Sequence, residues 1–242
     1  MTFCVGLRVD EGLVALADTQ IVRGGEQSSK AKLSCHDHDG RSLFVMTSGL
    51  RSVRDKIVAR LEDELAGRRQ PARRMHQVAT AFGDQLKVVR DEDGPSLADA
   101  GLTFNLHAVI GGQLTDDEDP ELFLVYPEGN WVTATADAPS FIIGRTSYGK
   151  PVLDRLLTAD TPLQQAVALA YLAFDATRAS VVDVEFPIDV VVWSGGRLRK
   201  QRFEAPELTP VHDFWHERLR QALAELPISW TTGLVPVARG AR

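Results

Sequence analysis

The apolar positions near the start of the chain predict a strand, a tight turn and a second strand. Residues 2–18 hold two apolar runs separated by Asp10-Glu11-Gly12, and the second run ends on a carboxylate, Asp18. Gly12 closes the turn, where a positive φ costs glycine least. A further buried strand at 43–47 ends at Ser48-Gly49. The first third of the chain therefore favours sheet structure, interrupted by a polar turn that we predict at 35–40.

Helical periodicity begins after Gly49. Apolar residues recur there every three or four positions, which is typical of helices with one buried face. The first helix is marked by Leu50, Val53, Ile57, Leu61 and Leu65, and the second by Val78, Phe82, Leu86 and Val89. The acidic segment 91–95 ends in Gly94-Pro95, and we expect it to break the second helix.

The second half of the chain repeats this order of strands followed by two helices. Strands are predicted at 103–110, 122–126, 131–135 and 141–143, helices at 148–157 and 162–178, a hairpin at 187–203, and a last helix up to residue 226. A doubly wound parallel sheet needs strands and helices that alternate one for one, so this order disfavours it. The pattern predicts an α+β sandwich in a single domain over 1–226, with a C-terminal tail at 227–242.

Charge and composition narrow the classes of partner. The 242 residues carry a formal net charge of −6, which argues against nucleic acid or an anionic membrane as a partner. No apolar run approaches eighteen residues and no leader pattern is present, so we expect a cytoplasmic protein. The two cysteines, Cys4 and Cys35, are interpreted as partly buried hydrophobes.

No metal site and no cofactor are predicted. The histidines of the 35–40 turn lack a third ligand cluster nearby in sequence, and His212 and His216 lie four apart on a helix beside Trp215. The acidic segment 116–119 lacks the spaced ligands and glycine of a calcium loop, and we interpret it as a solvated hairpin tip.

Thr2 is the candidate nucleophile. It directly follows Met1, and aminopeptidases that remove Met act when the second residue is small. Removal of Met1 would give Thr2 a free α-amine, whose ordinary pKa of about 7.7–8 suits a general base at neutral pH. Nucleophile and base would then belong to one residue, held by the strand that follows.

Asp18 and Lys32 are the candidate partners of Thr2. A carboxylate at the end of a buried strand needs a partner to offset its desolvation, and a lysine that pairs with it would stand as a fixed cation near the chain terminus. Such a cation lowers the pKa of a neighbouring amine. Lys30 is the alternative to Lys32 on the same extended segment. At Ser48-Gly49, a backbone N–H of Gly49 can point at the oxyanion of a tetrahedral intermediate.

Together these residues resemble the proteasome-type N-terminal-nucleophile hydrolases. Thr2, Asp18, Lys32 and Ser48-Gly49 occur in the order and spacing of that superfamily, and the stretches 141–154, 174–177 and 187–189 resemble its bacterial Anbu group of proteasome β-subunit homologues. The resemblance implies a four-layer αββα sandwich and a homo-oligomeric ring or spiral. It favours Lys32 over Lys30, because the Lys32-Leu33 step matches the family. It also assigns Gly49 as the oxyanion donor and Thr47 and Ile21 to the substrate pocket.

The sequence departs from the proteasome pattern in two places. A Ser-Gly cluster of the proteasome β-subunits is replaced here by 144–147, and an Asp-x-x-Ser-Gly run by 180–184, in which the hydroxyl and carboxylate residues have exchanged places. Ser147, Ser180 and Asp183 are therefore possible helpers, and the departures put ordinary endopeptidase strength in question.

Three functional hypotheses follow. The first is a threonine peptidase or amidohydrolase that uses Thr2 after removal of Met1, with a peptide or small amide as substrate. The second is a hydrolase or transferase of the same superfamily that acts on a non-protein amide. The third is a non-catalytic, proteasome-like assembly subunit, which retention of Met1 would favour.

Overall fold

The computed structural model describes residues 2–23, 26–29, 31–38, 41–67, 71–231 and 234. These form two compact units, Met1–Glu204 and Ala205–Arg242, which are described separately. The strands are β1 (Phe3–Val9), β2 (Gly12–Asp18), β3 (Gln20–Arg23), β4 (Glu26–Ser29), β5 (Leu33–His38), β6 (Arg41–Gly49), β7 (Leu106–Gln113), β8 (Glu121–Val125), β9 (Trp131–Thr133), β10 (Ser140–Gly144), β11 (Ile188–Ser194) and β12 (Arg197–Phe203). The helices are α1 (Arg51–Gly67), α2 (Met75–Asp99), α3 (Lys150–Leu156), α4 (Leu163–Arg178) and α5 (Ala205–Ala224).

Two five-stranded antiparallel sheets form the body of the first unit. One has the strand order β10-β1-β2-β11-β12 and the other the order β5-β6-β7-β8-β9, while β3 and β4 pair as a separate hairpin. The central strands β1 and β2 are almost wholly buried, because one face meets the second sheet and the other meets α4. The fold is therefore a mixed α+β structure with antiparallel sheets, as the order of elements predicts.

The two sheets share an apolar core between their inner faces. Its buried residues come from both sheets and include Cys4, Leu13, Ala15, Ala17, Phe44, Met46, Val109, Leu122 and Val191. A second core lies between β6–β8 and the helices α1 and α2, and contains Val53, Ile57, Val78, Phe82 and Phe123. On the first sheet, α4 packs against β1 and β2, with α3 beside it. Phe3 of β1 meets Phe174 of α4 with ring centroids 6.2 Å apart.

The polar turn predicted at 35–40 is wrong for most of its length, because residues 35–38 belong to β5. This strand forms one edge of its sheet and pairs with β6. Successive side chains of a strand point to opposite faces of the sheet, so the polar ones can face away from the core. Cys35 is exposed on this strand, in contrast to the partly buried position that we expected, whereas Cys4 is fully buried.

The break predicted at 91–95 is also wrong, since α2 runs through Pro95. Proline removes one helical hydrogen bond, but the carbonyl that loses its donor belongs to Asp91, which is exposed and can be hydrated. Ion pairs to α1 hold the same segment: the Lys56 ammonium lies 2.7 Å from Glu92 and 2.7 Å from Asp93. Tertiary contacts thus overcome the local preference against helix.

The acidic segment 116–119 joins β7 to β8 as a hairpin tip with Glu118 and Asp119 exposed, as predicted, but its first two carboxylates also hold the start of α2. Asp117 accepts hydrogen bonds from the Met75 N–H at the start of α2 (2.9 Å) and from the Leu114 N–H (2.9 Å). Asp116 pairs with both arms of the Arg73 guanidinium at 2.6 and 2.7 Å. Asp117 therefore caps the N-terminus of α2 although it is far away in sequence, and its carboxylate also lies at the positive end of the helix dipole.

In the part of the second unit that the structure describes, α5 is followed by a short 3-10 helix, Ser229–Thr231. The rings of His212 and His216 stack with centroids 4.0 Å apart, and the Arg218 guanidinium lies over Phe214. The single domain expected over 1–226 remains a prediction. Within the described residues, every helix is too short or too polar to cross a bilayer.

Acid should weaken the fold through Asp189. This buried carboxylate on β11 accepts two hydrogen bonds from Arg202 (2.8 and 3.0 Å) and lies 3.2 Å from Lys200. Burial opposes ionisation, but the bonds from Arg202 and the charge of Lys200 outweigh it, so the pKa of Asp189 is lowered. A lowered pKa stabilises the fold above the unfolded value of about 3.9, and that stabilisation is lost as pH falls through the folded value.

We therefore expect Asp189→Asn to cost about 1–2 kcal/mol at pH 7, because both basic partners are partly exposed and screened by solvent. Urea unfolding at fixed protein concentration should show this difference at pH 7 and a smaller one at pH 3, where the unfolded carboxyl is already mostly protonated. Asp55→Asn, at an exposed pair with Arg51 on α1, is the control and should change stability little at either pH. An equal loss for Asp189→Asn at both pH values would contradict this account.

Candidate active site

Thr2 lies at the end of a strand that is held on both sides. It directly precedes β1, its side chain is half-buried, and its carbonyl accepts a hydrogen bond from the Arg145 N–H at 2.9 Å. Gly144, the last residue of β10, pairs with Phe3 and has φ of 90°. A Cβ at Gly144 would lie 1.9 Å from the Thr2 carbonyl oxygen, so only glycine allows this close approach.

Asp18 and Lys32 form a buried ion pair beside Thr2. The Lys32 ammonium donates to both carboxylate oxygens of Asp18, at 2.9 and 2.7 Å, and the Phe3 N–H donates to one of them at 2.8 Å. Asp18 is fully buried and Lys32 is 8% exposed. The pair is thus joined by a hydrogen bond to the residue that follows Thr2, and β1, β2 and the segment before β5 meet there.

The electrostatics of this pair depend on its burial. Burial raises the pKa of Asp18, while the adjacent Lys32 charge and the bonds from Lys32 and Phe3 oppose that rise. Lys32 is itself held by its backbone, since its carbonyl accepts a bond from the Thr47 N–H at 3.2 Å. Lys200 of β12 donates to the next carbonyl, that of Leu33, at 3.3 Å. The backbone at Lys32 and Leu33 is thereby held by β6 and by β12.

Ser48 and Gly49 end β6 near Gly144, the residue that contacts Thr2, and all three line one pocket. Gly49 has φ of 141°, and a Cβ there would lie 1.9 Å from the Asn105 carbonyl oxygen. Any other residue would therefore be strained and would collide with the chain that enters β7. Gly49 is exposed and Ser48 is half-buried, so a substrate can reach the backbone at this point.

Two pockets adjoin these residues. The smaller has a volume of about 100 Å³ and is lined by Ala31, Lys32, Leu33, Ser34, Val45, Thr47, Arg54 and Val58. The larger has a volume of about 340 Å³ and is lined by Ser48, Gly49, Asn105, His107, Leu124, Tyr126, Ile142, Ile143, Gly144 and Thr146. Thr47 thus lines a pocket that also contains Lys32, whereas Gly49 lines the other.

The three possible helpers occupy different environments. Ser147 is exposed in the loop before α3, and the Ser180 hydroxyl donates to the Ala176 carbonyl at the end of α4 (3.0 Å). Asp183 accepts from the Arg145 guanidinium at 3.2 Å. Burial raises the pKa of Asp183, but the bond from Arg145 and the nearby positive charges together lower it. Since the Arg145 N–H binds the Thr2 carbonyl, Asp183 is connected to Thr2 through one residue.

Some predicted residues lie outside what the structure describes. Met1 and Lys30 are outside the described residues, and so is the side chain of Ile21, although its backbone belongs to β3. Cys4, two residues from Thr2, does not compete with it as a nucleophile: Cys4 is fully buried, and burial strongly raises the pKa of its thiol, which disfavours the reactive thiolate.

Sequence reasoning missed Arg145, Asn105 and His107. Arg145 stands within the 144–147 region that we treated only as a departure from the proteasome pattern, and its role needs the pairing of β10 with β1. Asn105 and His107 lie at the start of β7, where His107 interrupts an apolar run. That interruption was the available signal.

Several solved structures share this fold, at 26–31% sequence identity. Anbu (ancestral β-subunit) from Yersinia bercovieri is 31% identical, with a TM-score of 0.83, over 93% of this chain and 98% of that one. Anbu from Hyphomicrobium sp. strain MC1 is 30% identical, with a TM-score of 0.83, over 93% of this chain and 97% of that one. A structure described as the helical assembly of the Anbu complex from Pseudomonas aeruginosa is 26% identical, with a TM-score of 0.86, over 98% and 100%.

No family model matches the chain, and no curated protein does either. The structural matches, however, span nearly the whole length of both partners at about 30% identity. They agree with the resemblance that Thr2, Asp18, Lys32 and Ser48-Gly49 suggest. The chain belongs to the Anbu family of proteasome β-subunit homologues.

Proposed function

We propose that the chain is a proteasome-like threonine hydrolase that cleaves amide bonds by acyl transfer from Thr2 after Met1 has been removed. The observation that carries this proposal is the buried Asp18–Lys32 pair, tied to the Phe3 N–H one residue from Thr2. Burying two charges is costly, and a simple apolar pair would serve the core at least as well. A fixed ammonium beside a free α-amine would lower the pKa of that amine, as a general base at neutral pH requires.

In the proposed reaction, Thr2 Oγ attacks the amide carbon and its proton passes to the Thr2 α-amine through water. The tetrahedral oxyanion is stabilised by the Gly49 N–H. The carbon–nitrogen bond then breaks, and the leaving amine takes the proton. Water hydrolyses the resulting ester and regenerates Thr2. Lys32 lowers the pKa of the α-amine, and Asp18 holds Lys32 in place.

The smaller pocket is proposed to bind the side chain that precedes the cut bond. Thr47 lines it, and we assign Ile21 to the same pocket from the family resemblance alone. Its volume of about 100 Å³ and its walls, which combine apolar and polar side chains, suit a small side chain. The Arg145–Asp183 pair is proposed to position Thr2 rather than to react, because Arg145 binds the Thr2 carbonyl through its backbone.

The layering and the assembly belong to the same proposal. The αββα order is supported by the packing of α1 and α2 on one sheet and of α4 on the other. Self-association into a ring or spiral is supported by the helical assembly described for the Pseudomonas aeruginosa relative.

The nucleophile is tested with a peptide epoxyketone. This electrophile should react with the hydroxyl and the amine of Thr2 together, forming a ring that an internal Thr or Ser cannot form. Mass spectrometry should locate one adduct on the Thr2 peptide. Thr2→Ala should fold, lose Met1 and show neither adduct nor turnover.

Cys35→Ser is the matched control, because Cys35 is an exposed thiol that could react in place of Thr2. This variant should keep both the adduct and the activity. An adduct mapped to Cys4, Cys35 or Ser48, or undiminished hydrolysis by Thr2→Ala, would reject Thr2.

The ion pair is tested with Lys32→Met. Asp18 would keep the Phe3 N–H but lose its cation while fully buried, so we expect a stability loss of roughly 3–5 kcal/mol. The α-amine pKa should rise, and kcat/KM should fall by a factor on the order of 10². Urea unfolding and peptide hydrolysis measure the two effects.

The double variant Asp18→Asn/Lys32→Met separates stability from catalysis. It leaves no unpaired charge, so part of the lost stability should return while the activity stays low. Lys30→Met should behave like the unmodified chain. An active and equally stable Lys32→Met, together with an inactive Lys30→Met, would show that the wrong lysine was assigned.

Self-association is tested by sedimentation and native mass spectrometry at micromolar concentration. The proposal predicts a large homo-oligomer whose population grows with concentration. A species that remains monomeric across this range would contradict it.

A further inference from the structure

The larger pocket lies where the core between the two sheets ends. Along β6, the inward positions run Phe44, Met46, Ser48, and Ser48 stands directly opposite His107 of β7. Along β8, the same face carries Leu122 and Leu124, followed by Tyr126 just beyond the strand. The inward side chains thus change from apolar to polar at this end, and a cavity of about 340 Å³ replaces packed core.

The linings of this cavity and of the smaller pocket are tied to opposite sides of β1, the strand that follows Thr2. Strand β1 lies between β10 and β2, so Thr2 at its end has β10 on one side and β2 on the other. Lys32 pairs with Asp18 on the β2 side, and its pocket contains Thr47. The larger cavity includes Gly144 and Thr146 on the β10 side. An extended substrate across Thr2 would therefore place its two halves in different pockets.

The walls of the larger cavity are chemically mixed. Leu124 and Ile142 are half-buried aliphatic side chains, and His107 meets Tyr126 edge to face with ring centroids 6.4 Å apart at 73°. Burial lowers the pKa of His107, against the opposing charge of Glu128, which favours a neutral imidazole. An uncharged ring pair beside aliphatic groups suits another aromatic ring, since edge-to-face contacts are favourable.

We propose that this cavity is the subsite for the amine half of the substrate, and that it selects amines which carry an aromatic side chain. The inference rests on the proposed function, because it uses the assignment of the acyl half to the Thr47 pocket. The volume fits a pocket for a small molecule or a single side chain, and its lining includes both Gly49, the proposed oxyanion donor, and Gly144, which pairs with Phe3 next to Thr2. Leu124, Ile142, His107 and Tyr126 are then specificity-determining residues.

The subsite can be tested by running the acyl transfer in reverse, so that an added amine takes the acyl group from Thr2. When an acyl group is esterified to Thr2 Oγ, an added amine can attack its carbonyl carbon. The ester carbon–oxygen bond breaks, a new carbon–nitrogen bond forms, and the proton of the amine returns to Thr2 Oγ. The fraction of acyl groups captured by amine instead of water therefore reports how well that amine fits the cavity.

The experiment acylates the full-length protein with a peptide thioester and offers phenylalaninamide and alaninamide as competing acceptors. The proposal predicts that phenylalaninamide captures the acyl group about tenfold or more better than alaninamide at equal concentration. Thr146→Trp, at an exposed position on the cavity lining, should bring this ratio close to one by filling the cavity. Tyr126→Ala should lower the ratio by removing the ring contact.

Thr115→Trp is the matched control. Thr115 is equally exposed but lies beyond the opposite end of β7, so this variant should keep both the ratio and the hydrolysis rate. Equal capture of the two amines by the unmodified protein would overturn the proposal. A high ratio that persists in both Thr146→Trp and Tyr126→Ala would overturn it as well.

Failure of the proposed function can be distinguished from failure of the subsite. If no acyl group is found on Thr2, the proposed function is wrong, and the cavity is then tested by direct binding. Saturation-transfer NMR of phenylalaninamide with Thr2→Ala should give a signal that Thr146→Trp abolishes and Thr115→Trp keeps. Absence of that signal, or its persistence in Thr146→Trp, would show that the cavity does not bind this aromatic amine and would overturn the proposal.

Discussion

The buried charge pair Asp18–Lys32 is the constraint on which this structure depends. A fully buried carboxylate at the end of β2 requires both a cation and a backbone donor, and these come from Lys32 and from Phe3 of the neighbouring strand. The pair therefore fixes β1, β2 and the entry to β5 relative to one another. The same requirement places a positive charge near Thr2, which links the stability of the fold to the chemistry proposed for it.

The two sheets turn this local arrangement into an open site. Their inner faces are apolar over most of their length, but the inward positions become Ser48, His107 and Tyr126 at the end where Thr2 lies. At this end, Gly49 and Gly144 let the backbone of neighbouring segments come so close that a Cβ at either position would clash. The polar inward positions leave room for a substrate where a packed core would otherwise continue, and the two glycines bring the backbone of Asn105 and of Thr2 to the edge of that space.

The sequence predicted the elements that a local pattern of apolar residues marks, and the one ion pair that the family resemblance implies. The first hairpin, the helices after Gly49 and the pairing of Lys32 with Asp18 agree with the structure. The predicted turn at 35–40 and the helix break at 91–95 were wrong, because strand pairing with β6 and ion pairs to α1 override local preference. Arg145 could not be found from sequence, since its contact with Thr2 requires β10 to lie beside β1.

The central claim is that Thr2 acts through its own free amine, and the mass of the intact, natively produced protein tests it most directly. An α-amine that is still joined to Met1 can neither accept the proton of the hydroxyl nor provide the charge that the mechanism requires. The account predicts a mass lower than that of the full sequence by one methionine residue, with Thr2 as the first residue in N-terminal sequencing. A protein that hydrolyses amides while every chain keeps Met1 would contradict it.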